Sequence, residues 1–237
     1  MTSQIRITRT FRRMLSVSLI QQANNPTLSA LCDRDIYQAE KDGSAIVSGT
    51  RYPSKYLNRY IKEVDKSVKK MLSDHGFRDG MVSPMAFVDD NGFYMCEMCY
   101  RPSGGHHFTL IKDQTGIDGL ALLIEFAVTG RIQNYMPEKE NPAFSDYCGM
   151  IHIPGVPGKK IVSMEGIEAI SDLPFVLEVC EELRPGQVVG KDGTTAQTIA
   201  SIWLKGKDYE EYTRNIEKIR LHLKAFDEEG NSIIKTV

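Results

Sequence analysis

Apolar residues recur along this chain at two spacings, and each spacing predicts one kind of secondary structure. Between residues 53 and 76 they fall every three or four positions, which is the repeat of an amphipathic helix. They are Leu57, Tyr60, Ile61, Val64, Val68, Met71 and Leu72. Residues 81–88 and 93–99 instead read as two strands, and Asp-Asp-Asn-Gly at 89–92 is typical of a hairpin turn. We therefore predict a helix followed by a β-hairpin.

The second half of the chain alternates between helix and short strands. An apolar helix is predicted from Gly116 to Gly130, with a buried face made of Ile117, Leu120, Ala121, Ile124, Ala127 and Val128. Beyond a polar linker at 131–147, strands are predicted at 148–153, 160–163, 175–180 and 195–204, with glycines between them. Asp208 and Glu211 have capping-box spacing and open a last helix. This order favours an α+β fold, with antiparallel sheets and packed helices.

Composition narrows the functional class. The 237 residues are 41% hydrophobic and 25% charged, with a formal net charge of −2, which argues against a dedicated nucleic-acid-binding protein. No apolar run approaches the roughly 20 residues that cross a bilayer, so no membrane partner is expected. The five cysteines are an odd number in a long chain, which favours free thiols and a cytoplasmic location.

The start of the chain differs from the rest. Residues 1–25 contain four arginines and no acidic residue, and the first acid is Asp33. Such a leader can be an organellar transit peptide, but an alternative start site, a truncated gene or a frameshifted leader explains it more simply. We therefore divide the chain into an atypical leader (1–25), a main unit (26–135) and a small C-terminal α+β region (148–237).

Candidate chemistry is concentrated between Phe93 and Gly105. Side chains alternate along a strand, so Glu97, Cys99 and Arg101 should share one face just before a Gly-Gly loop. A carboxylate can hold Mg²⁺ together with substrate phosphates, and a guanidinium can bind a phosphate through two hydrogen bonds. Glycines let backbone N–H groups approach an anion. The simpler alternative is an edge-strand salt bridge followed by an ordinary turn.

The same segment also invites a zinc hypothesis. Cys96 and Cys99 are spaced as in many zinc sites, and His106 and His107 follow closely. On a continuous strand, however, the two cysteines point to opposite faces, and no second cysteine pair lies nearby. The pattern therefore disfavours zinc.

The ordered run of features from the hairpin onward resembles the metal-binding half of ATP-grasp enzymes. It comprises F-Y-x-x-E-M-x-x-R at 93–101, the Gly-Gly loop, T-G-I-D at 115–118 and an apolar helix ending in Thr-Gly. The preceding segment 28–34 and the glycine-rich C-terminal strands are also similar to that family. The resemblance covers residues 26–237. It implies the C-terminal half of an ATP-grasp fold, with 26–135 as its main subdomain.

The resemblance also implies a reaction and its participants. ATP and Mg²⁺ would phosphorylate a small-molecule carboxylate, and an amine would then displace phosphate from the acyl-phosphate. By motif match, Glu97 would hold Mg²⁺ and Arg101 would bind the transferred phosphate, with Arg34 on the phosphate or substrate side. The carboxylate would be lined by Ser103, Gly104 and Gly105.

Two positions differ from the family pattern and leave an alternative open. The pattern usually reads E-x-N-x-R, but Cys99 stands in place of its Asn, and Met85 stands where a Glu or Gln often faces the metal. Both changes favour a non-catalytic remnant acting as a structural or oligomerisation module. On the catalytic hypothesis, a separately encoded or lost half would supply the rest of the nucleotide site. An apolar patch left uncovered would then favour a homo-oligomer.

Overall fold

The computed structural model describes residues 13–38 and 45–235. Within these residues the main element is an eight-stranded sheet in which every neighbouring pair is antiparallel, in the order β5-β4-β1-β2-β3-β6-β9-β8. Its strands are β1 Met14–Gln22, β2 Asn25–Gln38, β3 Ala45–Tyr52, β4 Gly80–Asp89, β5 Gly92–Cys99, β6 Tyr147–Pro154, β8 Val176–Glu181 and β9 Thr198–Gly206. A small second sheet pairs β7 (Ser163–Glu165) with β10 (Lys224–Phe226). The predicted α+β fold on antiparallel sheets is confirmed.

Helices cover both faces of the large sheet. They are α1 Leu57–Tyr60, α2 Lys66–Asp74, α3 His107–Thr115, α4 Gly119–Thr129, α5 Ile167–Ser171 and α6 Tyr209–His222. A π-helical segment, Ile61–Asp65, joins α1 to α2, so the two form one continuous rod. This rod packs on one face against Leu15, Val17 and Leu31. On the other face, α3 packs against Ala30, Cys32 and Trp203, and this second face carries the cavity described below.

The N-terminal segment enters the fold earlier than the sequence division implies. Residues 1–12 of the predicted leader lie outside the described residues. Met14–Gln22, which belong to the same predicted leader, form β1 and pair with both β2 and β4. Leu15 and Val17 are fully buried. A strand hydrogen-bonded on both sides with a buried apolar face is an internal part of the sheet.

The two units predicted at 26–135 and 148–237 share one sheet. Strand β3 of the first pairs with β6 of the second, and Thr50 lies opposite Met150. The strands approach closely at Gly149, where a Cβ would lie 2.0 Å from the carbonyl oxygen of Thr50. Only glycine fits there, because that separation is far shorter than any van der Waals contact.

Helix α4 corrects one expectation about packing. Leu120, Ile124 and Val128, predicted to be buried, are 41%, 64% and 79% exposed. The helix instead buries Leu122, with Phe126 packed beside it. Because α4 is apolar on most of its circumference, periodicity alone cannot identify the side that faces the protein. The exposed residues form an apolar stripe at i, i+4 and i+8.

The described helices are short, and the cysteines are unpaired. The longest single helix, Tyr209–His222, has 14 residues and begins at the predicted cap, where Asp208 accepts a hydrogen bond from the backbone N–H of Glu211. In the described part of the chain, no helix is long and apolar enough to cross a membrane. All five cysteines are free thiols.

Candidate functional site

A cavity of about 560 Å³ lies against the α3 face of the large sheet. Its floor includes a row of cross-strand partners: Arg34 lies opposite Thr50, Thr50 opposite Met150, and Met150 opposite Trp203. Directly opposed residues project to the same face of a sheet. The row therefore carries side chains from β2, β3, β6 and β9 into one space.

The hairpin β4–β5 forms one end of the cavity. Glu97 lies opposite Met85 and Cys99 lies opposite Ser83, and all four side chains line the cavity. The Cys99 thiol donates a hydrogen bond to Glu97 Oε1 at 3.2 Å. This hydrogen bond is the main cause of the raised pKa of the Cys99 thiol. Glu97 therefore faces the cavity with a protonated thiol beside it.

Two guanidinium groups line the same space. Arg101 is exposed and donates to the carbonyl oxygen of its neighbour Pro102 at 2.9 Å. Arg34 contacts the Met14 sulfur at 3.6 Å, and its buried Nε has no hydrogen-bond partner. Within residues 13–38 and 45–235, neither arginine has a carboxylate partner within salt-bridge distance. Buried donors without partners are uncommon, so this end of the cavity suits an anion.

The Gly-Gly loop ends where α3 begins. Ser103, Gly104 and Gly105 line the cavity, and α3 starts two residues beyond Gly105. The first N–H groups of a helix are free to bind an anion. A Cβ on Gly105 would lie 3.0 Å from His107 Nε2, so the loop rests closely on that imidazole, whereas Gly104 has open space around it.

His107 lies buried beneath this loop and remains neutral. Burial lowers the pKa of His107 to about 3, and the positive charge of Arg34 adds to the effect. Its Nε2 lies 3.4 Å from Ser103 Oγ, and its ring meets the Tyr52 ring edge-on at 5.6 Å. His107 therefore supports the loop without adding charge.

A second set of contacts fixes the loop from the opposite end of the cavity. The Trp203 indole N–H donates to the carbonyl oxygen of Gly105 at 2.9 Å, and the indole stacks on His106 at 4.9 Å. His106 Nδ1 lies 2.9 Å from one oxygen of Glu178, whose other oxygen accepts from Thr109. Strands β8 and β9 therefore hold the start of α3 in place.

The structure brings all six sequence-predicted site residues to this one cavity. They are Arg34, Glu97, Arg101, Ser103, Gly104 and Gly105. Their chemical roles remain predictions. The residues at the β8–β9 end, which include His152, Ser201 and Glu182, are not among the sequence-predicted site residues. A signal was present, since His152 and Ser201 are polar residues within the apolar runs of β6 and β9.

The donor set fits a metal ion that arrives with phosphate ligands. Mg²⁺ commonly takes one or two protein carboxylates and completes its shell with phosphates and water, and Glu97 can supply one carboxylate. Met85 and Cys99 add no hard oxygen ligand. Among the described residues, no group of three or more His, Cys, Asp or Glu side chains could hold a metal by itself.

Solved structures identify the fold. No protein-family model and no curated protein matches the sequence. An L-amino acid ligase from Bacillus licheniformis aligns with a TM-score of 0.76 and 16% identity, over 91% of this chain and 54% of that one. A phosphoribosylglycinamide synthetase from Anaerococcus prevotii gives 0.76 and 14%, over 91% and 53%. The biotin carboxylase subunit of a pyruvate carboxylase gives 0.70 and 15%, over 92% and 47%.

All three are ATP-grasp enzymes, and this chain spans about half the length of each. At these identities the likeness establishes architecture and does not transfer a substrate. The chain therefore has the fold of about half of an ATP-grasp enzyme, as its hairpin, loop and helix motif implies.

Proposed function

We propose that this chain carries the phosphate- and carboxylate-binding part of an ATP-dependent ligase that joins a carboxylate to an amine through an acyl-phosphate. The observation that carries the proposal is the pair Arg34 and Arg101, which line one cavity beside the loop that starts α3. Among the described residues neither has a carboxylate partner. Guanidinium groups with free donors are suited to bind phosphate.

The chain's own residues would act by positioning and by charge, which account for most of the catalysis in phosphoryl transfer. Arg34 and Arg101 bind the transferred phosphate. Ser103 and the N–H groups of Gly104 and Gly105 orient the carboxylate that receives it. Neutral His107 supports this loop from below, so the positive field at the phosphate comes from the arginines and the start of α3.

Glu97 would hold Mg²⁺ together with the phosphates of ATP. Bound there, the ion neutralises the charge that develops on the transferred group. The ATP-grasp neighbours support this assignment by their fold. A further similar structure, the biotin carboxylase domain of the Hydrogenobacter thermophilus 2-oxoglutarate carboxylase (TM-score 0.70, 14% identity), is described as a complex with MgADP, ADP and bicarbonate. The same proposal includes a small-molecule acid and an amine as substrates. It also includes a further ATP-grasp half that completes the nucleotide site.

A second candidate is a non-catalytic ATP-grasp module with a structural or oligomerisation role. The observation that favours it is the setting of Glu97, which has Met85 across the strand and Cys99 hydrogen-bonded to its carboxylate. Neither neighbour offers Mg²⁺ an oxygen. This candidate predicts no affinity for phosphate ligands at the cavity.

A stable analogue of an acyl-phosphate separates the two candidates. Acetonylphosphonate has a methylene in place of the bridging oxygen of acetyl phosphate, so it probes Arg34, Arg101 and the loop without nucleotide. Calorimetric titration of the full chain should show binding that weakens about 10- to 100-fold in Arg101→Ala or Arg34→Ala. That range corresponds to the roughly 1.5–3 kcal/mol of a hydrogen bond to a charged group.

The matched control removes an arginine elsewhere. Arg131 is exposed, lies beyond α4 and does not line the cavity. Arg131→Ala should bind the phosphonate as the parent chain does. Glu97→Gln should abolish any increase in affinity that Mg²⁺ causes. Equal binding by Arg101→Ala and Arg131→Ala would refute the ligase proposal and leave the structural module.

A further inference from the structure

The side chains of Glu182, Ser201 and His152 form a hydrogen-bonded chain at the β8–β9 end of the cavity. His152 on β6 lies directly opposite Ser201 on β9, and Ser201 lies opposite Cys180 on β8. Opposed residues share a sheet face, so His152, Ser201 and Cys180 all line the cavity. Glu182, which follows β8, lines it as well. This end of the cavity is polar although Ser201 is only 1% exposed.

The hydrogen bonds of this chain fix which atoms carry protons. Ser201 Oγ lies 2.7 Å from Glu182 Oε1 and 2.8 Å from His152 Nδ1. An ionised carboxylate only accepts hydrogen bonds, so the single hydroxyl proton of Ser201 goes to Glu182. Ser201 must then accept from His152, which requires the proton of the neutral imidazole to sit on Nδ1. His152 Nε2 is therefore left with a lone pair.

That lone pair is free to bind a ligand. His152 Nε2 has no hydrogen-bond partner within the described part of the chain, and His152 lines the cavity. Burial lowers the pKa of the imidazole below its ordinary value, and the opposing effect of the Glu182 carboxylate is smaller. The ring is therefore uncharged at neutral pH and able to accept a proton.

The two ends of the cavity thus favour ligands of opposite charge. Arg34 and Arg101 present donors and positive charge at one end. Glu182 and His152 present a carboxylate and an acceptor nitrogen at the other, and both ends line the same space. A primary amine carries N–H donors and gains positive charge when it attacks a carbonyl, so it complements the second end.

We propose that Glu182, Ser201 and His152 form the subsite for a primary amine, with His152 Nε2 as the acceptor of its proton. The inference rests on the proposed ligase function. The neutral amine nitrogen forms a bond to the acyl carbon, and the bond from that carbon to the phosphate oxygen breaks. Phosphate leaves with the electron pair, and the excess proton on nitrogen passes to His152 Nε2. Glu182 stabilises the positive charge through the attack.

The tautomer of His152 tests the geometry without any ligand. Imidazole ¹⁵N chemical shifts of the full chain at pH 7 should show His152 protonated at Nδ1 and bare at Nε2. Ser201→Ala removes the acceptor for Nδ1–H, so the population with the proton on Nε2 should rise. A parent chain with its proton on Nε2 would overturn the proposal.

An ammonium probe tests the binding. Ethanolamine, titrated into the full chain, should shift the His152 ring signals, whereas tetramethylammonium, which has no N–H donor, should not. Glu182 is exposed, so Glu182→Gln should fold normally and weaken ethanolamine binding about tenfold. The control Glu181→Gln changes the same charge one residue away, outside the cavity lining. Equal weakening by both variants, or no weakening by Glu182→Gln, would overturn the subsite.

The phosphonate titration on the same samples separates this inference from the function on which it rests. Phosphonate binding without ethanolamine binding leaves the ligase proposal and removes the amine subsite. Ethanolamine binding without phosphonate binding removes the ligase proposal, and with it the role of His152 as proton acceptor in that reaction.

Discussion

At the β5 end of the cavity, Glu97 and Arg101 are exposed and make few contacts with the protein. At the β8–β9 end, by contrast, side chains are joined into hydrogen-bonded networks around Trp203 and Ser201. The recognisable sequence motif lies at the loosely held end, and the ordered end has no motif. The difference indicates that a ligand must organise the first end, whereas the protein has already organised the second.

The largest expected effect comes from the ordered end. Trp203 is 2% exposed and its indole holds the Gly105 carbonyl, so Trp203→Ala should lower the free energy of unfolding by about 3–5 kcal/mol. Urea denaturation measures the loss. Tyr209, which is 53% exposed, provides the control, and Tyr209→Ala should lower it by less than about 1 kcal/mol. Similar losses in the two variants would contradict the view that Trp203 organises this end.

The buried imidazole between the two ends should make stability depend on pH. The folded pKa of His107, about 3, lies below the value near 6.5 expected in the unfolded chain. Between these values the unfolded chain binds the proton and the folded chain does not, so stability falls as the pH drops from about 6.5 toward 3. The decrease contributed by His107 is up to ~1.4 kcal/mol per pH unit.

Replacing His107 tests this assignment. His107→Phe should flatten the pH dependence of urea denaturation over that range, while replacement of the exposed His75 by Gln should leave it unchanged. If the free energy of unfolding of His107→Phe depends on pH as steeply as that of the parent chain, the imidazole does not stay buried and neutral.

The smallest effect is expected at the open side of the loop. Gly104→Ala should change stability by less than about 0.5 kcal/mol, because nothing lies within 4 Å of the added Cβ. Gly105→Ala forces a contact with His107 and should be the more destabilising of the pair. Thermal unfolding of the two variants side by side compares the outer and inner faces of the loop, and the reverse order would be inconsistent with this geometry.

Local signals in the sequence predict part of the fold well. The turn at 89–92 and the strands on either side of it have the predicted positions, as do the cap at Asp208 and the left-handed glycine Gly130 that ends α4. Each depends on residues close together in sequence. The alternation that brings Glu97 and Cys99 to one side of β5 is of the same kind, and Arg101, two residues beyond the strand, lines the same cavity.

The elements that were missed depend on distant partners or on misleading composition. Strand β1 alternates apolar residues with serines, but the arginines before it suggested a leader. Strand β3 contains Gly49, a residue of low strand propensity. Glycine is needed there because a Cβ would lie 2.9 Å from the carbonyl oxygen of Met150, which is distant in sequence. Helix α3 begins at a left-handed His106 with no side-chain cap, which leaves no local start signal.

The continuous sheet from β2 through β3 to β6 fixes the distance between Arg34 and His152. Arg34 lies two strands from Met150 in one cross-strand row, and His152 is two residues further along β6. With about 4.8 Å between strands and about 3.4 Å per residue, the side chains of Arg34 and His152 start about 12 Å apart. A backbone hydrogen-bonded on both sides cannot change this separation. The fixed separation therefore limits the size of the substrates, because an acid and an amine react only if their reactive atoms meet between Arg34 and His152.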